Sequence, residues 1–354
     1  MKSPLFFIKE DIRVRVTIKD IARVAGVSVA TASMALNDKP GINKETRQKV
    51  LDVAEQMYYR PNYSARSLIT KKSGIIGLVV TDIRNPFFSK LVDVFNREVE
   101  KNGYSLLLGI SSDKVSLEKK CIDLFVGRNV EGIIVVPTIE TSPDLEHLYM
   151  LKRMKIPFAL CTTAYNGIET DVVMTDLKEG EYQVVRHLIG KGRKSICFVT
   201  CDRSLLLSRE RLEGFRKAHL ESGLTYNNEQ IIETEPDYEH GYDIGKTLAG
   251  GKADAVVAVN DFVAFGLSKA FKDAGVRIPE EIAVAGYDDL LFSNLVDPAL
   301  TTVKQPITEI CVKTLELLFD RIENGPGNAQ TFSLPPQLII RDSTVGQNKA
   351  DITQ

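Results

Sequence analysis

From residue 75 onward, short apolar runs alternate with amphipathic segments that have helical spacing. A strand covered by helices on both faces is apolar along its length, so this alternation is typical of parallel sheets. About 280 residues exceed one doubly wound unit, and we expect two α/β subdomains with a ligand cleft between their strand ends. The runs are 75–81, 105–109, 132–136, 158–161, 196–200, 255–259 and 282–286.

Residues 17–60 predict a different structure, three short helices around one small core. Thr17 and Ser28 are suited to cap the first two helices, and Gly26 supplies the left-handed turn between them. Pro61 ends the third helix. Two short helices joined by such a turn form a helix-turn-helix, whose second helix enters the major groove of DNA.

The charge of the chain is unevenly distributed. Residues 1–74 carry 14 Lys or Arg and 7 Asp or Glu, so the total net charge of −2 leaves −9 on residues 75–354. A basic head on an acidic body is the pattern expected of a nucleic-acid-binding module attached to another domain. A solvated charged surface is the alternative interpretation.

Composition excludes several classes of protein. With 26% charged and 44% apolar residues, the 354-residue chain is neither disordered nor fibrous. Its apolar runs fall far short of the about 20 residues that a membrane span needs. The first residues lack the apolar core of a signal peptide, so we expect a cytoplasmic protein with no membrane partner.

No pattern of residues indicates catalysis. The histidines are scattered, and neither a phosphate loop nor metal-ligand spacing occurs in the sequence. We therefore expect no metal, no cofactor and no enzymatic activity. The cysteines predict structural thiols rather than a disulfide or metal site; they are Cys121, Cys161, Cys197, Cys201 and Cys311.

The run from Thr17 to Ser28, TIKDIARVAGVS, resembles the headpiece of the lac repressor and purine repressor family of bacterial transcription factors. The resemblance covers roughly residues 16–345. Ordered matches follow at Thr31-Ala32-Ser33, Leu36-Asn37, Tyr59-Arg60-Pro61-Asn62, Ala65-Arg66-Ser67-Leu68, Ile76-Gly77-Leu78, Asn85-Pro86-Phe87-Phe88, Arg211-Leu212-Glu213-Gly214-Phe215, Asn260-Asp261, Gly286-Tyr287-Asp288-Asp289, Leu300-Thr301-Thr302-Val303 and 338–344.

The resemblance implies a small all-α helix-turn-helix headpiece joined by a hinge to an α/β body of two doubly wound parallel-sheet subdomains, like the periplasmic binding proteins. It also implies a homodimer whose binding to operator DNA is switched by a small molecule. The expected boundaries are a disordered extension 1–15, a headpiece 16–62, a hinge 63–74, a body 75–345 and a tail 346–354. Within the body we expect an N-subdomain at 75–175 and 305–333, and a C-subdomain at 176–304 and 334–345.

The second helix of the motif places Val29, Ala30 and Met34 toward the bases. The family often has Arg where this chain has Met34, so guanine readout by this helix is lost and contact with thymine methyl groups or DNA shape must replace it. Packing inside the headpiece is the alternative for Met34. The full set of DNA-binding residues implied is Thr17, Ser28, Val29, Ala30, Thr31, Ser33, Met34, Asn37, Asn62, Ala65, Arg66 and Leu68.

In the hinge, the resemblance implies a specific role in DNA binding for Leu68. The equivalent leucine of the family is wedged into the minor groove at the operator centre and bends the DNA. Ala65 and Arg66 would then lie against the groove walls. Packing of Leu68 on the body is the alternative interpretation.

Six residues of the body fall where the family contacts its effector. An Arg fork, an amide and a carboxylate in one cleft recognise hydroxyl or anionic groups, and an aromatic face supports a sugar or base ring. Where the family commonly has an acidic residue after the fourth strand, this chain has Thr162 and Thr163. The implied effector residues are Phe87, Phe88, Arg209, Asn260, Asp288 and Gln305. Core packing is the alternative for the two phenylalanines.

The sequence thus predicts a DNA-binding transcriptional regulator, most often a repressor, controlled by a small carbohydrate-like or nucleobase effector. A cytoplasmic solute-binding or sensor protein, a sugar-processing enzyme on the same fold, and a catabolite-type regulator that needs a protein partner are the alternatives.

Overall fold

The computed structural model describes residues 16–59 and 72–345. The chain divides into two compact units between Ser73 and Gly74. The expectations for 1–15, for most of the hinge and for 346–354 lie outside the described residues, as do Asn62, Ala65, Arg66 and Leu68. Neither described range contains a helix long and apolar enough to cross a membrane.

The headpiece is built from three helices with side-chain caps. Thr17 and Asp20 cap the first helix reciprocally, since each side chain accepts from the backbone N–H of the other. Gly26, with φ of 67°, ends that helix, and Ser28 Oγ then accepts from Thr31 N at 3.0 Å to begin the second. The helices are α1 (Ile18–Ala25), α2 (Val29–Leu36) and α3 (Lys44–Gln56). Their shared core consists of Ile21, Ala22, Ala25, Ala32, Ala35, Val50 and Ala54.

The first sheet of the body has six parallel strands in the order β11-β5-β4-β3-β1-β2. Its strands are β1 (Ile75–Val80), β2 (Ser105–Ile110), β3 (Gly132–Val135), β4 (Phe158–Thr162), β5 (Asp171–Thr175) and β11 (Thr331–Leu334). Its helices are α4 (Pro86–Lys101), α5 (Val115–Gly127), α6 (Glu146–Met154) and α11 (Ile307–Asn324).

Both faces of this sheet are covered, which explains why its strands are apolar throughout. In β1, Leu78 packs with the layer of α4 and α11, whereas its neighbour Val79 packs with the layer of α5 and α6. Successive side chains of a strand point to opposite faces. One strand therefore contributes to two separate hydrophobic cores.

The second sheet has four parallel strands in the order β7-β6-β8-β9. They are β6 (Ile196–Thr200), β7 (Ile231–Glu233), β8 (Ala255–Ala258) and β9 (Ala283–Ala285). The helices α7 (Leu177–Gly190) and α8 (Leu206–Glu221) pack on one face, and α9 (Tyr238–Leu248) and α10 (Asp261–Asp273) pack on the other.

The chain passes between the two sheets three times. It leaves the first sheet after β5, returns after β10 (Thr302–Lys304) into α11, and leaves again after β11 into β12 (Gln337–Ile339). The strands β10 and β12 pair antiparallel, and the short helix α12 (Asp342–Val345) follows them. These three crossings connect the two subdomains.

The predicted fold class, a helical headpiece with a doubly wound α/β body, is confirmed. Five strands were not among the predicted runs: β5, β7, β10, β11 and β12. Three of them have only three residues. A strand so short is defined by its pairing partner rather than by its own hydrophobic pattern.

Candidate functional site

On the headpiece, α2 presents a mixed surface. Val29 and Ala30 are exposed in its first turn, whereas Thr31, Ser33 and Met34 are half-buried. The methyl group of Met34 lies beside Gly41, so this side chain packs locally as well as reaching the surface.

The polar side chains of this motif are already engaged in the headpiece. Ser28 Oγ and Thr31 Oγ1 lie 2.8 Å apart, and Asn37 Nδ2 donates to Ser33 O at 2.8 Å. Thr17 Oγ1 donates to Asp20 at 2.7 Å. Thr17, Ser28 and Asn37 are cap residues in this structure, and a hydroxyl that caps a helix keeps a lone pair for a further donor.

In the body, a cleft of about 990 Å³ lies between the two subdomains. Its walls are the segments that follow parallel strands, the place where open α/β sheets bind ligands. Thr81 and Asp82 follow β1, Thr162 ends β4 and Thr163 follows it, and Asn260 follows β8.

Five of the six predicted effector residues line this cleft: Phe87, Phe88, Asn260, Asp288 and Gln305. The exception is Arg209. Its side chain is exposed, donates from Nη2 to Asn166 Oδ1 at 3.2 Å, and is absent from the cleft wall.

Arg211 lines the cleft in place of Arg209. Two residues along an α-helix correspond to a rotation of about 200°, so the side chains of these two arginines leave α8 on opposite sides. The buried stripe of α8 recurs at three- and four-residue spacing and identifies Arg211 as the inward residue. This stripe, which is readable in the sequence, consists of Ser208, Arg211, Leu212, Phe215 and Ala218.

Arg211 is held firmly. It is only 5% exposed, its Nη1 donates to Val259 O at 2.5 Å, and its Cζ lies 3.7 Å from the centre of the Tyr287 ring. A guanidinium over a desolvated aromatic face gains cation–π energy of about 2 kcal/mol. Gly180 makes room for this tyrosine, because a Cβ there would lie 2.3 Å from the Tyr287 hydroxyl oxygen.

A chain of hydrogen bonds leads from the cleft wall to the end of β5. Thr175 Oγ1 donates to Gln305 Oε1 at 2.6 Å, and Gln305 Nε2 donates to Asp288 Oδ1 at 2.7 Å. Thr175 and Gln305 lie on two of the segments that pass between the subdomains. These hydrogen bonds therefore connect Asp288 with two segments that pass between the subdomains.

The carboxyl group of Asp288 is electrostatically strained. Burial and, to a lesser extent, the neighbouring Asp261 raise its pKa to about 8, although Arg211 and the hydrogen bond from Gln305 act in the opposite direction. Asp261 is itself fully buried, and it accepts hydrogen bonds from Ser293 Oγ and Thr302 Oγ1, each at 2.6 Å. Its own pKa is raised to about 6, chiefly by burial.

Asn260 lines the cleft and also stabilises the start of α10. Its Oδ1 accepts from Val263 N at 2.9 Å and so caps α10, while Nδ2 donates to Pro236 O at 2.8 Å. The amide is thereby fixed in orientation. One N–H and one lone pair remain for a ligand.

The sequence left open whether Phe87 and Phe88 pack in the core or support a ligand ring, and the structure places them in different environments. Phe87 is 5% exposed and belongs to the core under α4, whereas Phe88 is half-buried and packs against that core. Their rings meet edge to face with centroids 5.1 Å apart. Phe87 therefore packs mainly in the core and buttresses Phe88.

Some wall residues were not predicted, notably Asp113 after β2 and Glu235 after β7. The rule that strand ends meet at the cleft applies to both. Asp113 follows a predicted strand and was open to this argument. Glu235 follows a three-residue strand that the sequence pattern does not reveal.

Comparisons with known proteins agree with this architecture. Residues 17–62 match the family model described as bacterial regulatory proteins, lacI family, and residues 185–344 match a periplasmic binding protein-like domain. The HTH-type transcriptional regulator DegA of Bacillus subtilis (strain 168) is 31% identical over 332 residues, which are 93% of this chain and 98% of DegA.

Solved structures show the same fold. The lac repressor dimer bound to operator and the anti-inducer ONPF has a TM-score of 0.82 and 23% identity, covering 93% of this chain and 99% of that one. A LacI family transcriptional regulator from Enterococcus faecium with bound ribose has a TM-score of 0.68 and 29% identity, covering 77% and 99%. The chain belongs to the lacI family of bacterial regulatory proteins and is a DNA-binding transcriptional regulator.

Proposed function

We propose that this regulator is a repressor whose affinity for operator DNA is controlled by a small polar effector in the cleft. The observation that carries the proposal is the chain Thr175–Gln305–Asp288, because it joins a polar recognition group to the segments that cross between the subdomains. A ligand contacting both walls favours one closure state over the other. That state sets how the two hinges of a dimer are spaced.

To bind DNA, α2 enters the major groove, where Val29 and Ala30 contact the bases and Met34 lies beside them. Short polar groups near the helix start hold phosphates through spare lone pairs and backbone N–H groups. These are Thr17, Ser28, Thr31, Ser33 and Asn37. Apolar contact with thymine methyl groups and DNA shape supply the sequence preference.

The hinge is the second DNA contact of the proposal. Residues 60–72 carry four Lys or Arg and no Asp or Glu, so a large part of the basic excess of residues 1–74 lies there. Such a segment is attracted to the phosphate backbone. Leu68 enters the minor groove, with Ala65, Arg66 and Asn62 alongside.

For the effector, Asn260, Asp288 and Gln305 provide hydrogen bonds, and Phe88 provides an apolar face backed by Phe87. Arg211 takes the place first given to Arg209. The set suits a compact ligand with several hydroxyl groups, such as a sugar or a sugar derivative.

We infer further that the protein acts as a homodimer. A row of apolar side chains is exposed on the C-subdomain, with Leu291 at 73% and Leu295 at 68%. Leu108 and Ile110 are exposed on the edge strand β2 of the N-subdomain. Apolar patches of this kind mark interaction surfaces, and a two-fold dimer pairs two headpieces with two half-sites.

The remaining parts of the proposal concern context. We propose that the protein works in the cytoplasm without a cofactor or metal and is not an enzyme, and that the boundaries 16–62, 63–74 and 75–345 separate headpiece, hinge and body. A cytoplasmic solute-binding role is the second candidate for the body alone. The headpiece argues against it.

Selection of binding sites from random DNA by the full chain tests the proposal. We expect a near-palindromic site, and sedimentation of the complex should give two chains per duplex. Enrichment of no sequence, or of a single half-site bound by a monomer at micromolar concentration, would contradict it.

A further inference from the structure

The wall of the effector cleft is strongly acidic. Among the described residues that line it, eight are Asp or Glu and three are Lys or Arg. A cleft lined by one sign of charge concentrates ligands of the opposite sign and repels ligands of its own sign. A phosphate ester or carboxylate ligand is thus a poor fit.

Most of these carboxylates already have partners. Asp82 forms an ion pair with Arg84 at 2.8 Å, Glu140 accepts from Val115 N at 2.7 Å, and Asp202 accepts from Ser204 N at 2.7 Å. These groups serve loop and helix ends.

Two further carboxylates of the wall, Asp113 and Glu235, form no ion pair within the described part of the chain. They stand on different subdomains, Asp113 after β2 and Glu235 after β7. Asp113 accepts a hydrogen bond from the backbone of Ile139, and its pKa is raised to about 6, chiefly by burial and to a lesser extent by the charges of Asp82 and Glu235. The two carboxylates therefore act on each other across the cleft.

A second observation concerns a buried hydroxyl next to the Asp113 loop. The hydroxyl of Thr81, a residue only 2% exposed on the cleft wall, has no hydrogen-bond partner among the described residues. Thr81 neighbours the Asp113 loop, since Ser112 N donates to Thr81 O at 2.9 Å. A buried hydroxyl left unpaired carries an energetic penalty that a bound donor removes.

We infer that the effector carries a positively charged amino group, which Asp113 and Glu235 bind from opposite walls of the cleft with the Thr81 hydroxyl beside it. An ammonium has three donors and no acceptor, which matches two carboxylates and a hydroxyl. The rest of the ligand presents hydroxyl groups to Arg211 and Asp288. An amino sugar has this chemistry, and binding it lets the acidic walls close together.

The inference rests on the proposed function of the cleft, and its test uses the full chain with matched compounds. Glucosamine, galactosamine and mannosamine are each compared with the parent sugar and with the N-acetyl derivative, in which the charge is removed. Calorimetric titration should show at least one amine binding about tenfold or more tightly than both of its neutral analogues, because they lack charge-assisted hydrogen bonds.

Variants then locate the charge. Asp113→Asn and Glu235→Gln should each reduce the preference for the amine to less than about threefold, since one of two charged contacts is lost. Asp243→Asn is the control, an exposed carboxylate of α9 that is paired with Lys246 outside the cleft. It should leave the preference intact.

Binding of no amine, equal binding of amine and parent sugar, or a preference that survives both cleft variants overturns the inference. A neutral sugar that binds as tightly as its amine and changes operator affinity overturns the inference while leaving the proposed function standing. An amine that binds with the expected charge dependence but leaves operator affinity unchanged supports the inference and contradicts the proposed function.

Discussion

Replacing Glu181 by glutamine should remove a pH dependence from the stability of the body. Glu181 lies in α7, is fully buried, and neither carboxyl oxygen has a hydrogen-bond partner in the described residues. Burial raises the pKa of this carboxyl to about 8, and the charge of Arg211 only partly opposes the rise. At neutral pH the folded protein therefore holds Glu181 as the uncharged acid.

The size and sign of the effect follow from proton linkage. The pKa rises from 4.5 in the unfolded chain to about 8 in the folded one. Between these values the folded state keeps a proton that the unfolded state releases, so the stabilisation present below pH 4.5 is lost as pH rises. The loss is about 1.4 kcal/mol per pH unit and about 5 kcal/mol in all. Glutamine has no proton to exchange.

Urea unfolding of the full chain at several pH values between about pH 5 and pH 8 measures this linkage. Far-UV circular dichroism is a suitable signal because the chain has no tryptophan. The free energy of unfolding of Glu181→Gln minus that of the wild type should grow by about 1.4 kcal/mol per pH unit. Glu169→Gln changes an exposed glutamate and is the control. A Glu181→Gln difference that stays constant over this range refutes the reasoning.

Three further outcomes are expected. Arg211→Lys should weaken effector binding by about tenfold or more, because lysine lacks the planar guanidinium that stacks on an aromatic ring and donates hydrogen bonds at the same time. The control Arg209→Lys should leave effector binding unchanged, and calorimetric titration measures both variants. Gly180→Ala should lower the free energy of unfolding by about 1 to 3 kcal/mol in thermal unfolding, because the added Cβ would overlap a buried tyrosine hydroxyl. The control Gly190→Ala should leave stability unchanged, because a Cβ at that position meets nothing within 4 Å. Leu68→Ala should weaken operator binding by about 1 to 3 kcal/mol without changing the salt dependence, since the wedge carries no charge; equal losses on operator and random DNA would contradict that role.

The sequence was most informative where a local pattern and its tertiary role coincide. The apolar runs of β1 and β6 predicted buried parallel strands because both faces of each sheet are covered. The helix caps at Thr17 and Ser28 could also be predicted from the sequence, because an N-cap depends only on the next three residues. Such features need no knowledge of the rest of the fold.

Elsewhere the deciding partner is distant in the chain. The strand β7 has three residues and exists through its pairing with β6, so the Glu235 that follows it was missed. Arg209 was chosen by resemblance alone, although helical spacing favours Arg211. The link between Gln305 and Thr175 spans 130 residues and has no local signature.

The same limit applies to charge. Asp113 and Glu235 are far apart in sequence and line the same cleft only because two sheets present their strand ends to it. The net charge of a domain does not show which two carboxylates will line the same cleft.

The central claim is that a ligand in the cleft controls DNA binding, and the coupling between the two affinities tests it most directly. Operator affinity of the full chain is measured by fluorescence anisotropy with and without a compound that binds the body. The affinity of that compound is then measured with and without operator. The two ratios must be equal by linkage and different from one. Asp288→Ala should bring both ratios to one, while DNA binding without the compound persists for an inducer or stays weak for a corepressor. A compound that binds the body without changing operator affinity, or a normal response in Asp288→Ala, would contradict the account.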